Sequence, residues 1–151
     1  MPDNYTCHIP FSQKNAIIIN ADVLFELPLD QNVKYASIKI KALVDTGANG
    51  TCISKRLSSA CHLPAVSAMK IFSAQGASVV PVYKMNIRLP TGTEFKNVLA
   101  TEVAGSEHFD VIIGMDILSQ GDFALTSDGN SLVFSMRFPS DKNPIDFTKV
   151  K

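Results

Sequence analysis

An all-β domain, closed into a barrel or packed as a sandwich, is the fold class this sequence predicts. Three observations carry that reading. Apolar and polar residues alternate over most of the chain, the links between alternating stretches are short and rich in turn residues, and helical spacing is confined to two brief segments.

The first alternation is "AIIINADVLFELP", which places Ile17, Ile19, Ala21, Val23, Phe25 and Leu27 on one face. The connection "LPLDQNVK" leads into "ASIKIKALV", where Ile38, Ile40, Ala42 and Val44 oppose Ser37, Lys39 and Lys41. A further strand, "YKMNIRL", sets Tyr83, Met85, Ile87 and Leu89 against Lys84, Asn86 and Arg88, and "PTGT" turns it into "EFKNVLATEV". Late in the chain, "FALTSDGNSLVFSMRF" reads as a hairpin about Ser127-Asp128-Gly129-Asn130. Short helices are expected in "SKRLSSACHL" after Ser54 and in "MDILSQG", with Gly121 as a stop. One domain is expected over residues 16–138, with residues 1–15 as an N-terminal arm open to three readings, a trimmed pro-segment, an extra interface arm or a disordered stretch, and residues 139–151 as a loose, polar tail whose Ile145 and Phe147 can nevertheless dock.

The chain has 151 residues, enough to bury a core without disulfides. Lys plus Arg and Asp plus Glu both number 14, so no electrostatic footprint for nucleic acid or an anionic membrane follows. Neither a signal peptide nor a membrane span is read from the sequence. Cys7, Cys52 and Cys61 are odd in number and scattered, which points to a reducing, cytoplasmic compartment. Cys7-His8 and Cys61-His62 lack metal-ligand spacing, so neither a metal nor a cofactor is expected.

The chemistry lies in "ALVDTGANGTCIS", residues 42–54, an apolar strand running into a small, sharp loop. Asp45 ends the strand, Gly47 brings a backbone N–H to close range, and Ala48 is small enough for a peptide to lie beside it. Backbone donors and the Thr46 hydroxyl are available to hold the carboxylate. Taken alone, Asp-Thr-Gly is more often an ordinary turn. The context is more specific. "FDVIIGMDIL" follows much later, with Ile112, Ile113 and Gly114 ahead of the second short helix.

Together, apolar-apolar-Asp-Thr-Gly-Ala and a later apolar-apolar-Gly resemble the retropepsin-like aspartic proteases, the clan of retroviral proteases. The resemblance covers roughly residues 15–138, and "IIGMDILSQGDFAL" looks most like free-standing bacterial members. It implies a closed acid-protease barrel with one short C-terminal helix and a β-hairpin flap. It implies that Gly114 lets its strand cross closely under the Asp45 loop. A pepsin-like chain carries two Asp-Thr-Gly loops, whereas this one carries only Asp45-Thr46-Gly47 and is too short for two lobes. A homodimer that pairs two Asp45 carboxylates across a two-fold axis is therefore expected, as the resemblance also implies, with the two Thr46 side chains bonded across the axis.

Two carboxylates about 3 Å apart share one proton, behaviour for which aspartic protease dyads are themselves the type case. One Asp45 then takes a proton from water and the other donates to the peptide carbonyl. The flap is expected in "AMKIFSAQGASVVPVYK", with Ser73, Ala74, Gln75, Gly76 and Ala77 at its tip and Ile71, Phe72, Val79 and Val80 on its flanks. Ala48, Asn49 and Gly50 are expected to line the groove and bind a peptide or protein substrate. Many viral members pair an acid at the position of Asn49 with a base at that of Met115. Both are neutral here, so that ion pair does not carry over. Asp116 reads as a helix-start acid. Two alternatives stay open at this point: an inactive peptide-binding or dimerisation module, and a β-barrel binding protein with a chance motif.

Overall fold

The computed structural model describes residues 3–29 and 32–150. Strands β1 (Asp3–Pro10), β2 (Ile18–Leu29), β3 (Asn32–Val44), β4 (Cys52–Ser54), β5 (Ala65–Ser73), β6 (Gly76–Arg88), β7 (Glu94–Val103), β8 (Val111–Ile113), β9 (Asp122–Ser127) and β10 (Ser131–Phe138) follow in chain order. Helix α1 (Lys55–Ala60) lies between β4 and β5, and α2 (Met115–Leu118) between β8 and β9. Seven strands run in the order β2-β3-β8-β4-β7-β6-β5, and an extra pairing of β2 with β6 closes six of them into a barrel. The remaining three form the sheet β1-β10-β9.

Alternation decides which face of each strand enters the barrel. Ile19, Ala21, Val23, Ile40, Ala42, Val44, Met85, Ile87 and Leu89 are all buried, as their period-two spacing predicts. Leu27 and Ile38, at the far ends of the same pattern, remain more than a third exposed because β2 and β3 run past the barrel as a hairpin. Part of the predicted link "LPLDQNVK" lies within these strands, and residues 30 and 31 fall outside the described residues. The "PTGT" turn forms with Gly92 at φ 93°, a conformation that suits glycine. Ser54 caps α1 by accepting the Leu57 N–H.

The structure adds to two expectations. Residues 3–10 are a regular strand, paired with β10 from Asp3↔Phe138 to Pro10↔Ser131. Ile9 lies in the core with Phe134, Met136 and Phe138, so apolar burial ties the start of the chain down. Gly121 does more than stop a helix. A Cβ there would lie 2.4 Å from the Arg137 carbonyl oxygen, so its lack of a side chain lets the α2–β9 link pack against β10. In the tail, the Asp141 N–H donates to Asp122, and Ile145 and Phe147 line a concavity over the small sheet while staying 60% and 65% exposed.

Candidate active site

Asp45 leaves β3 with its backbone fixed, its N–H donating to the Ile113 carbonyl at 3.0 Å. The chain then turns. Ala48 N–H donates to the Asp45 carbonyl at 3.3 Å, and Gly47 N–H donates to Asp45 Oδ1 at 2.8 Å. A backbone donor therefore holds and aims the carboxylate, and the adjacent glycine provides it. Thr46 is exposed, and among the described residues its hydroxyl has no hydrogen-bond partner. Asp45 is half-buried, while Gly47, Asn49 and Gly50 are exposed. The loop thus presents an open surface.

The second motif braces this loop from below. β8 lies parallel to β3 with Leu43↔Ile112 and Val44↔Ile113 in register. Gly114 follows, and a Cβ on it would stand 2.6 Å from the Gly50 carbonyl and 2.9 Å from the Ala48 oxygen. Only glycine permits this approach. It lets α2 begin directly against the loop, with Met115 N–H donating to Ala48 and Asp116 N–H to Asn49. Each of those two carbonyls therefore already accepts one backbone hydrogen bond from α2.

Asp116 does more than its helix-start position suggests. It accepts the Ile117 N–H at 3.0 Å, as a first-turn acid does, and also the Thr51 N–H at 3.1 Å and Thr51 hydroxyl at 2.9 Å. Thr51 is 1% exposed, and its hydroxyl oxygen also lies 3.4 Å from the Gly114 N–H. One carboxylate thus joins the two motifs. "DTGANGT" and "GMD" carry both residues, but only their distance in space reveals the clamp.

A row of side chains beside Asp45 also escapes the sequence reading. Direct cross-strand partners share a face. Leu43, Ile112, Cys52 and Thr101 are linked in that way across β3, β8, β4 and β7, on the face opposite the barrel core. All four are half-buried. Burial pushes the Cys52 thiol pKa up, helped by the negative charges of Asp116 and then Asp45. The signal for this row is that "ALV" and "VII" are apolar at successive positions, which marks strands with apolar surroundings on both faces.

The predicted hairpin forms as β5 and β6, with Ser73↔Gly76 closing a turn at Ala74 and Gln75. Gly76 has φ 117°, and the Ser73 hydroxyl accepts the Gln75 N–H and donates to the Gly76 carbonyl. Register sorts the flanks. Met69 and Ile71 share a face with Val80 and Ser78, whereas Phe72 shares the other with Ala77, and Lys70 with Val79. Met69 sulfur lies 3.8 Å from the Thr101 hydroxyl, so the Met69 face is the one that adjoins the row. Phe72 and Val79 are 79% and 70% exposed on the opposite face. At the hairpin base, Tyr83 donates to Glu102 at 2.7 Å, a bond that raises the phenol pKa.

A family model described as "gag-polyprotein putative aspartyl protease" matches residues 31–120. The crystal structure of a retropepsin-like aspartic protease from Rickettsia conorii shares the fold, with a TM-score of 0.56 and 18% identity over 91% of this chain and 95% of that one. The solution structure of simian foamy virus (mac) protease matches with a TM-score of 0.46 and 16% identity, over 68% of this chain and 92% of that one. No curated protein matches.

Proposed function

Because this chain belongs to the retropepsin-like aspartyl protease family of gag polyproteins, we propose that it is an aspartic endopeptidase working as a homodimer. The observation that carries this reading is the Asp45 loop. It holds one carboxylate, aimed by Gly47 N–H, braced by β8 and α2, and set on open surface. A lone carboxylate there has no acid partner, and a second copy supplies one.

In the dimer, the two Asp45 carboxylates share a proton, since charging both at close range is unfavourable. The ionised one takes a proton from a water held between them. That water attacks the peptide carbonyl while the protonated one donates to its oxygen. The tetrahedral intermediate then collapses, and a proton passes to the leaving amine. No covalent enzyme intermediate forms. Thr46, exposed and without a hydroxyl partner among the described residues, bonds its counterpart across the axis.

The substrate lies extended between the row Leu43–Ile112–Cys52–Thr101 and the β5–β6 hairpin. That hairpin acts as a flap, with Ser73, Ala74, Gln75 and Gly76 over the scissile bond and Ile71 and Val80 facing inward. Ala48, Asn49 and Gly50 border the groove. The protein is assigned to the bacterial cytoplasm on the grounds of its unpaired cysteines and the wording of its second motif.

The test is cleavage of an unfolded protein at mildly acidic pH over a dilution series. Specific activity should fall in proportion to the loss of dimer, and Asp45→Asn should be folded and inert at every concentration. An active species that stays monomeric by light scattering overturns the reading.

A further inference from the structure

We propose that Tyr83 and Glu102 are positioning residues for peptide cleavage: their hydrogen bond is the pivot that sets how the β5–β6 hairpin stands over the Asp45 site, and so how readily a substrate is captured. The proposal rests on the endopeptidase reading above, in which that hairpin is the flap.

The hairpin leaves the barrel at one place. β6 pairs with β7 from Arg88↔Glu94 back to Val82↔Thr101, and before Val82 it pairs only with β5 among the described residues. Three features mark that boundary. Tyr83 lies opposite Ala65, the first residue of β5. The register of β5 slips between Ala65 and Ser67, so Val66 is an extra residue there, and a bulge bends its strand. Pro81 stands on the hairpin side and has no N–H to give.

Packing does not fix the hairpin in place. Every residue of β5 except Ile71 is exposed, so its angle is set at its base. There the Tyr83 phenol donates to Glu102 at 2.7 Å, with both residues half-buried. Ala100 is the direct partner of Tyr83, and Glu102 lies two residues further along the same face, within diagonal reach. Glu102 itself is on rigid ground, since it pairs with the fully buried Ile53 of β4. Its neighbour Thr101 turns the other way, with its hydroxyl 3.8 Å from the Met69 sulfur. Two successive residues of β7 therefore hold the hairpin from both faces. The thioether contact is weak, whereas the phenol–carboxylate bond is short and charge-assisted, so the latter is the pivot.

A hairpin without its pivot spends less time in the position that captures substrate, and apparent affinity falls by that fraction. Once an extended substrate lies between hairpin and row, it holds the hairpin itself. The signature is therefore a raised KM at nearly constant kcat.

The test uses the full chain at a concentration where the wild type is dimeric by sedimentation. Steady-state cleavage is followed on one peptide, taken from a site cut in the unfolded test protein. Tyr83→Phe removes only the phenol oxygen, Glu102→Ala removes the acceptor, and Glu102→Gln keeps one. Tyr83→Phe and Glu102→Ala should each raise KM about three- to ten-fold, the scale of one charged hydrogen bond partly open to water. Their kcat should stay within about two-fold of wild type. The double variant should be no worse than the worse single, because both remove the same bond. Glu102→Gln should recover most of the affinity. Wild-type KM in both Tyr83→Phe and Glu102→Ala overturns the proposal. A lower Tm and kcat with an unchanged KM overturns it too, since that is the pattern of a bond that only stabilises the fold. If the wild type cuts nothing, the endopeptidase reading falls and the pivot with it, whereas an active wild type whose KM ignores the bond removes the pivot alone. If Glu102→Ala does not fold, Tyr83→Phe and Glu102→Gln decide.

Discussion

Removing the Asp116 carboxylate tests whether the clamp between the two motifs positions the Asp45 loop. In Asp116→Ala, both the Thr51 N–H and the Thr51 hydroxyl lose their acceptor. A buried polar group left unpaired costs about 1–3 kcal/mol. Thr51 is buried but the Asp116 side is open, so water replaces part of the loss and the lower end applies. Two groups then give about 2 kcal/mol, or a Tm lower by about 4–8 °C for a chain of this length. Asp116→Asn keeps an acceptor for the N–H and turns its amide toward the Thr51 hydroxyl oxygen, losing mainly charge assistance, about 0.5–1 kcal/mol. Thr51 lies six residues beyond Asp45 on the same loop, and misplacing a reacting group by about 1 Å costs up to about 10²-fold in rate. Peptide cleavage and calorimetry on both variants should therefore rank wild type near Asp116→Asn, with Asp116→Ala at least about ten-fold slower in kcat. A wild-type Tm and kcat in Asp116→Ala would show that the two hydrogen bonds hold nothing in place.

Two further outcomes follow from the same loop. Gly114→Ala should destabilise by about 2–3 kcal/mol and abolish cleavage, because its methyl meets backbone atoms of Gly50 and Ala48 that cannot turn aside; denaturant unfolding measures it, and a stable, active variant contradicts the close approach. Cys52 is a thiol with a raised pKa, so it stays protonated to higher pH than a free cysteine, and its alkylation at about pH 8.5 should lag behind that of a small thiol. Burial comes first among the causes and Asp116 second, so Asp116→Asn should lower the pKa and speed alkylation at that pH without reaching the free-thiol rate; an unchanged rate means the two side chains do not sense each other.

The barrel was legible wherever one face of a strand is buried and the other is not. Ile19, Ala21 and Val23 alternate with Asn20 and Asp22, and the period survives tertiary packing because it expresses the burial itself. Strand β1 was harder to read. "DNYTCHIP" has only Tyr5, Cys7 and Ile9 on its inner face, two of them amphipathic, and its stability comes from β10, more than a hundred residues away. No local pattern expresses a pairing of that range. Gly121 was legible only in part for a related reason, since a glycine after a short helix reads as a stop, and its close packing against β10 is set by residues distant in sequence.

At the site, the sequence identifies the residues with unusual chemistry and passes over those with unusual placement. Asp45, Gly47 and Gly114 are conspicuous because an acid among small residues and a glycine after an apolar run each have few structural reasons to occur together. Leu43, Ile112 and Cys52 are ordinary apolar residues, and only the cross-strand register turns them into a surface next to Asp45. That register also separates rigid parts from free ones. The Asp45 loop is held by β8, by α2 and through Thr51, whereas among the described residues the β5–β6 hairpin beyond Val82 has strand pairing only with itself. On the proposed dimer reading, a carboxylate that meets its symmetry mate needs a fixed backbone. A hairpin proposed to admit and then cover an extended chain needs few restraints, and the hydrogen bonds are distributed in a way that suits both.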